Sequence, residues 1–472
     1  MVAKAEPRKR APKRTLNAEN LRALGAPRLA ELLMDLTADD PGAKRRLRLE
    51  LAAAQSPEAV ARLARTRLGS FAKAETSIAW KAMPALYAEM KTHHEAIART
   101  AGKEKPALAL ELLWLFIAAA ASIRNRCRFD PGIGELHREA MRQIGETADA
   151  VKPDPKALAE DAFRALAVGR GYHLPIIPAL ASALGPEGLA RLKKRLGERD
   201  SVSRSGREPL LAIADTEGDI EEYIRLHAPD ERKKPHYAAE IARRLTGAGR
   251  AGEALETLDA ATGGREGKDV SGRPDPGWTD ARIAALEALG RGEEAQRERR
   301  AWFDRTLSIP HLRAWLARFP NTFDAMDAEE RAFDHAERSH SSGAMLEFFL
   351  DWPDLGRASA LVLQRAKELG GQRRWVLTRA AEELAARFPL AAVLTLRAAL
   401  ESCLDSRPLN RTEQREEDRD AVRLFRDLAG LAQGITDYGA HPTHGVYVSR
   451  LRHEHPYAYN FWSEVERTTP RA

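Results

Sequence analysis

One short pattern occurs three times between residues 208 and 305, and it constrains the fold more than any other feature of the sequence. In each copy, an apolar segment is followed by a glycine, a short polar stretch and a second apolar segment. The three glycines are Gly218, Gly249 and Gly290. Because glycine adopts the left-handed backbone conformation that ends many helices, each copy predicts a helix, a tight turn and a second helix.

The spacing of the three turns is close to that of a helical repeat. The glycines are 31 and 41 residues apart, whereas tetratricopeptide repeats have a period of about 34 residues. The longer interval contains an insert at 263–277, rich in Gly, Pro and charge, which we expect to be a surface loop. The pattern resembles the tetratricopeptide-type helical hairpin. The alternative is a set of unrelated helical hairpins, and both interpretations imply the same fold class.

The composition agrees with a helical fold. Hydrophobic residues make up 43% of the chain and charged residues 31%, as in a soluble globular protein. Ala, Leu, Arg and Glu dominate, and all four favour helices. Alternating runs of Val, Ile and Thr are nearly absent, so we expect little or no sheet. We predict an all-α protein, a right-handed α-α superhelix (solenoid) of helical hairpins, tetratricopeptide-like in the middle.

Turn residues and charged runs divide the chain into five predicted segments. The clearest boundary is the sequence Lys152-Pro153-Asp154-Pro155, where two prolines interrupt the helical pattern. The predicted segments are a disordered basic arm at 1–16, an N-terminal helical domain at 17–152, a helical-repeat region with tetratricopeptide-like hairpins at 156–306, a C-terminal helical region at 307–435 and an aromatic and basic capping segment at 436–472.

The positive charge of the chain is concentrated at its N-terminus. The net charge is +6, and residues 1–15 carry six basic residues and one acidic residue. The arm is either a solubilising tail or an attachment to nucleic acid through phosphate contacts. The densest basic cluster elsewhere comprises Lys44, Arg45, Arg46 and Arg48. It is either a patch that grips phosphate or an acidic partner, or the solvent face of a helix balanced by Glu50 and Glu58.

The C-terminal segment contains two further groups of candidate residues. Imidazoles are common metal ligands, so four histidines there are weak candidates for a zinc site. Basic residues among aromatic ones are typical of surfaces that stack bases and hold phosphates. The alternative is that the aromatic residues cap the last hydrophobic groove of the solenoid. The histidines are His441, His444, His453 and His455, and the binding candidates are Tyr447, Arg450, Arg452, Phe461 and Trp462.

Other classes of protein find little support in the sequence. The most apolar run, residues 107–123, is interrupted by Glu111, so we predict a buried core helix rather than a membrane span. The two cysteines are far apart, which favours reduced thiols and a cytoplasmic location. The adjacent pair His93-His94 cannot face one metal from a regular helix, so we expect both to be exposed. We predict no catalytic residues, no cofactor and no membrane partner.

Several blocks of the sequence together resemble an uncharacterised, all-helical bacterial family, one of the domains of unknown function. The resemblance spans nearly the whole chain after residue 16, and it implies no particular activity. The segment from Tyr447 to Trp462 is similar to the helical tail that accompanies SWIM zinc fingers, but this chain lacks the three cysteines of the finger itself. The other blocks are residues 20–30, 44–51, 307–316 and 348–353.

These observations predict a cytoplasmic, non-catalytic helical-repeat scaffold that mediates protein–protein interaction. Its partner would be a protein or peptide bound along a groove of the hairpins. The alternative function is nucleic-acid binding through the basic arm and the Lys44–Arg48 cluster, with help from the C-terminal aromatic and basic residues. An enzyme with dispersed catalytic residues has no positive support.

Overall fold

The prediction of an all-α chain is confirmed. The computed structural model describes residues 16–101, 104–127, 130, 132–169, 171–198, 204–261, 275–406 and 411–468. These residues form 25 α-helices, two short 3-10 helices and one π-helical turn, with no strand among them. Residues 1–15 of the predicted basic arm and most of the predicted loop at 263–277 lie outside the described part.

Proline and a polar residue together start many of the helices. Proline is the first or second residue of eleven of them, where its missing N–H costs no hydrogen bond. Asp40, Ser56, Asp154 and Asp275 each precede such a helix, and their side chains accept hydrogen bonds from its first amides. The helix boundaries are therefore largely encoded in local sequence.

The chain forms two compact units, residues 1–231 and 232–472. The boundary falls inside the predicted repeat region at 156–306. The helices of unit 1 are α1 (Ala18–Arg22), α2 (Ala26–Leu36), α3 (Pro41–Gln55), α4 (Pro57–Lys73), α5 (Met83–Ala96), α6 (Pro106–Arg126), α7 (Ile133–Val151), α8 (Pro155–Val168), α9 (Ile176–Gly197), α10 (Arg204–Glu217), α11 (Ile220–Arg225) and α12 (Pro229–Arg232).

Helix α6 is the centre of unit 1. It packs against α4 on one side and α7 on the other, and ten of its side chains are buried. Among the described residues, α6 is the one helix long and apolar enough to cross a membrane. Its burial within the unit agrees with the predicted core helix at 107–123.

Unit 2 is built in the same way around α22. This helix packs against α20, α21 and α23, and every side chain from Ala391 to Leu400 is buried. The helices of unit 2 are α13 (Pro235–Gly247), α14 (Ala251–Asp259), α15 (Pro276–Ala288), α16 (Gly292–Thr306), α17 (Ile309–Leu316), α18 (Thr322–Ser339), α19 (Ser342–Asp351), α20 (Leu355–Arg365), α21 (Arg374–Leu384), α22 (Pro389–Leu404), α23 (Arg411–Ala432), α24 (His444–Glu454) and α25 (Tyr459–Thr468).

Within each unit, helices pack mainly against those one or two places away along the chain. In unit 1, α4 contacts α6, α7 contacts α9, and α8 contacts α9. In unit 2, α13 contacts α14 and α15. Packing between sequence neighbours is typical of an α-solenoid, so the described helices have a solenoid-like arrangement. The right-handed path of the predicted superhelix stays a prediction.

The three predicted turns share one geometry. Gly218, Gly249 and Gly290 have φ values of +69°, +78° and +71°. In each turn, the amide after the glycine donates to the carbonyl five residues earlier, for example Arg250 N to Leu245 O at 2.8 Å. This is the hydrogen bond that closes a helix ending in a left-handed residue. The glycines were correctly identified as helix ends.

The Gly249 turn yields a prediction about stability. A left-handed conformation costs a residue with a Cβ atom about 1 kcal/mol, and a Cβ at Gly249 would meet no neighbour within 4 Å. We therefore expect Gly249→Ala to lower the free energy of unfolding by about that amount. Chemical denaturation followed by circular dichroism measures the change.

The matched control is Gly252→Ala, three residues later on α14. A Cβ there also meets no neighbour within 4 Å, but Gly252 has an ordinary helical backbone. This variant should be as stable as the wild type or slightly more stable. Equal losses in both variants would contradict a cost that comes from the backbone conformation.

Candidate functional site

Two residues of the predicted basic cluster, Arg45 and Arg46, line a pocket in unit 1. The cavity has a volume of about 490 Å³, which is within the range of small-ligand sites. We call it the arginine pocket. It is lined by Asp40, Gly42, Ala43, Arg45, Arg46 and Leu49 at the start of α3, by Arg67 of α4, and by Ala82, Ala85, Leu86, Ala88, Glu89, Thr92 and His93 of α5 and the preceding turn.

Glu89 joins the three helices of this pocket. Arg67 donates to its carboxylate through Nε at 2.6 Å and Nη2 at 3.0 Å. Arg45 donates to the same two oxygens at 3.0 and 3.4 Å. Burial would raise the pKa of Glu89, but the two guanidinium groups outweigh it and hold the pKa below its usual value. Glu89 is therefore an ionised carboxylate clamped between two arginines.

His93 lies one turn after Glu89 and is only 6% exposed. Burial, with the charges of Arg67 and Arg45 and against the opposing charge of Glu89, lowers the pKa of His93 to about 4. The imidazole is therefore neutral at pH 7. Its Nδ1 atom has no hydrogen-bond partner in the described part of the protein. The pocket thus contains a neutral polar side chain beside its charged cluster.

The four residues of the predicted cluster have different environments. Lys44 donates to the carbonyl of Ala38 at 2.5 Å, while Arg45 belongs to the Glu89 clamp. Arg46 and Arg48 are exposed and form no ion pair with another described residue. Arg46 alone of these two lines the pocket. Within the pocket, Arg45 therefore has a structural role, whereas the guanidinium of Arg46 is available to a ligand.

The proposed balance of this cluster by Glu50 and Glu58 is corrected by the structure. Glu50 accepts hydrogen bonds from Arg99 at 3.0 and 3.1 Å. Glu58 accepts one from Lys105. Both acidic residues therefore pair with residues that follow α5, and Arg46 keeps its charge unpaired within the described residues.

The aromatic binding candidates of the C-terminal segment are buried. Tyr447, Phe461 and Trp462 belong to the hydrophobic core of unit 2. Arg450 pairs with Glu401 at 2.7 Å, and Arg452 pairs with Glu466 while lying over the Trp462 ring. These rings would have to leave the core before they could stack on bases. Their burial agrees with the alternative interpretation of the sequence, in which the aromatic residues cap the last hydrophobic groove of the solenoid.

The four C-terminal histidines do not meet at one point. No group of three or more potential metal-ligating side chains occurs among the described residues. His455 lies 3.8 Å from Asp405, and His453 is exposed on α24. His444 lies against the ring of Phe425, and burial, followed by the charge of Arg397, lowers its pKa. The surroundings of His444 are thus more favourable for an anion than for a cation.

A model of a family of unknown function, DUF6880, matches residues 11–209 and 198–464. The chain belongs to the DUF6880 family. This confirms the predicted membership of an uncharacterised helical family. The tetratricopeptide-like repeats and the resemblance to a SWIM-associated tail stay predictions. The DUF6880 match itself assigns no activity to the arginine pocket.

Two other comparisons add no functional assignment to this DUF6880 chain. A solved circular tandem repeat protein, described as having a novel repeat topology and enhanced subunit contact surfaces, has 17% identity to it. The alignment covers 95% of this chain and 90% of the other, with a TM-score of 0.14. A similarity at that TM-score carries no argument about the fold. No curated protein matches the chain.

The expected exposure of His93 and His94 is wrong. His93 lines the arginine pocket, and His94 is 7% exposed with its ring 5.2 Å from that of Phe116. Adjacent side chains on a helix point about 100° apart, and here other helices cover both directions. The argument against a shared metal still holds, but it does not imply exposure.

Sequence reasoning also missed Arg67 and Glu89. Glu89 lies within the apolar stripe from Trp80 to Met90, where a carboxylate requires a buried partner. The position of Glu89 within an apolar stripe was the signal in the sequence that could have identified it. It could not identify the partners, because Arg45 and Arg67 lie 44 and 22 residues away.

The lowered pKa of His93 predicts a pH dependence. The unfolded chain protonates this residue near pH 6.5, but the folded chain does so only near pH 4. The neutral folded form therefore contributes fully above pH 6.5 and loses its advantage as the pH falls towards 4. When the pH is lowered from 7 to 5, we expect the unfolding free energy of the wild type to fall by about 2 kcal/mol more than that of His93→Leu.

Urea unfolding at both pH values measures this difference. His453→Leu, at an exposed position of α24, is the matched control and should keep the wild-type pH profile. A His93→Leu profile as steep as that of the wild type would show that His93 is not the group responsible.

Proposed function

We propose that this chain is a non-catalytic binding protein whose arginine pocket holds an acidic segment of a partner protein. The observation that carries the proposal is the convergence of Arg45, Arg46 and Arg67 on a cavity that also contains the half-buried carboxylate of Glu89. Guanidinium groups bind carboxylates and phosphates through paired N–H groups. Excess positive charge in a concave site favours an anionic ligand.

The exposure of the arginines makes them accessible to a partner. The side chains of Arg45 and Arg67 are 41% and 34% exposed although both contact Glu89. Arg46 is exposed and has no competing carboxylate among the described residues. An incoming acidic side chain can therefore pair with Arg46 directly and share the outer edges of the other two arginines.

The rest of the lining suits a peptide with apolar side chains. Leu49, Ala85, Leu86 and Ala88 give the pocket an apolar part beside the charged residues. Trp80, two residues before the lining residue Ala82, is 71% exposed. Exposed tryptophan and arginine are the residue types most often found at energetic centres of protein interfaces. The favoured segment therefore has Asp or Glu next to an apolar residue.

Nucleic acid fits the pocket less well. The C-terminal aromatic rings that were candidates for stacking on bases are buried in the core of unit 2. A long polyanion requires an extended positive surface, whereas a short acidic segment needs only this local excess of charge. We therefore favour a protein partner within a scaffold role, and we expect that role in the cytoplasm.

Fluorescence anisotropy with a defined probe tests this function. The probe is a labelled peptide of alternating Glu and Leu, compared with the same peptide containing Gln in place of Glu. We expect only the acidic peptide to bind, and Arg46→Glu to weaken its binding about tenfold or more, because it reverses the available charge. Arg62→Glu, on the exposed face of α4 outside the pocket, should bind as the wild type does.

Two outcomes would overturn the proposal. Equal loss of binding in Arg46→Glu and Arg62→Glu would indicate a diffuse charge effect rather than the pocket. Tighter binding of labelled single-stranded DNA than of the acidic peptide, with a steep dependence on salt, would favour the nucleic-acid alternative.

A further inference from the structure

Unit 2 contains a buried arginine that has no carboxylate partner among the described residues. Arg397, near the middle of α22, is 5% exposed. Its Nη1 donates to the carbonyl of Pro442 at 2.9 Å. The guanidinium also lies over the rings of Tyr447 and Tyr438, 4.5 and 5.5 Å from their centres. These rings offset part of the cost of burial, but they accept no conventional hydrogen bond from its remaining N–H groups.

The unused edge of Arg397 is the edge that other arginines in this chain use to bind carboxylates. Nε and Nη2 of Arg65 both donate to Glu111 at 2.8 Å. The same two atoms of Arg225 donate to Glu222 at 2.6 and 2.7 Å. At Arg397, both atoms are buried and have no hydrogen-bond partner within the described residues. Two parallel N–H donors that are buried and unpaired match the geometry of an anion with two oxygens.

No side chain of α22 fills that edge. Glu401, one turn further along, accepts a hydrogen bond from Arg450 at 2.7 Å and forms no ion pair with Arg397. Its carboxylate is therefore already engaged. An uncompensated guanidinium in a protein core is costly, so a partner from outside the chain would remove a large penalty.

A second buried donor or acceptor lies two residues after Pro442, whose carbonyl Arg397 contacts. His444 is the first residue of α24, and its Nδ1 is buried without a partner in the described structure. Its N-cap, Thr443, makes no side-chain hydrogen bond to the first turn of the helix. Arg397 contacts the carbonyl of Pro442, directly before that N-cap. The partial positive charge of a helix N-terminus thus lies next to a full positive charge.

The outer side of this region has space for a ligand to approach. Pro442, Thr443 and Gly445 are exposed. A Cβ atom placed on Gly445 would meet nothing within 4 Å. A small ion can therefore approach the first turn of α24 at Gly445, but Nε and Nη2 of Arg397 are buried, so it reaches them only when the surrounding side chains move.

We propose that a small oxyanion, a carboxylate or phosphate group, binds to the Nε and Nη2 atoms of Arg397 beside the N-terminus of α24. The site lies wholly in unit 2, so it is independent of the arginine pocket and of its proposed partner. The bound oxyanion would neutralise the buried charge and hold the segment from Pro442 to His444 against α22.

Isothermal titration of the full chain tests the site, with inorganic phosphate and acetate in separate experiments at constant ionic strength. We expect one saturable site per chain, and the tighter of the two probes identifies the oxyanion class. Arg397→Lys keeps the charge but loses the planar pair of donors, so it should weaken binding at least about tenfold. His444→Ala should weaken binding by a smaller factor.

Arg467→Lys is the matched control, because Arg467 binds Glu464 through Nε and Nη2 on the exposed surface. It should bind the probe as the wild type does. Absence of saturable binding of both probes, or wild-type binding by Arg397→Lys, would overturn the proposal. If Arg397→Lys does not fold, a wild-type crystal soaked in selenate decides the question. An anomalous peak at Nε and Nη2 supports the site, and a water molecule there excludes it.

Discussion

Each unit contains one helix that is covered by neighbouring helices around most of its circumference, and this constrains every polar group along it. In α22, the hydroxyl of Thr395 donates to the carbonyls of Ala391 and Ala392, so its polarity is satisfied within the helix. Nε and Nη2 of Arg397, two residues later, have no hydrogen-bond partner among the described residues. The central position of α22 therefore leaves one charged residue with two unpaired donors, which is the basis of the oxyanion site that we propose.

A related constraint acts on α5 in the arginine pocket of unit 1. The half-buried carboxylate of Glu89 needs compensating charge, and Arg45 and Arg67 supply it from two other helices. Two guanidinium groups around one carboxylate leave an excess of positive charge, to which Arg46 adds. The preference for anions that we propose for the pocket thus follows from the way in which α5 is held against α3 and α4.

Local sequence predicted the helices well, because glycine, proline and helix caps act over only a few residues. Gly218, Gly249 and Gly290 adopt the left-handed conformation that their positions implied. The candidate site was less accessible to prediction. Its basic wall was visible in sequence, but the pairing of Arg45 with Glu89 joins residues 44 apart. The burial of His93 depends in turn on how those helices pack, which the sequence pattern does not specify.

The two arginine sites differ in what occupies the paired donors, and that difference determines how each would bind an anion. At Arg45 and Arg67, Glu89 already fills the donors, so an acidic partner competes with it and gains most from the exposed Arg46. Such binding should be reversible and sensitive to salt. At Arg397 the donors are buried and unfilled, so an oxyanion there would replace no internal carboxylate and would be screened little by salt. The first arrangement suits the exchange of partners, whereas the second suits an ion retained as part of the folded structure.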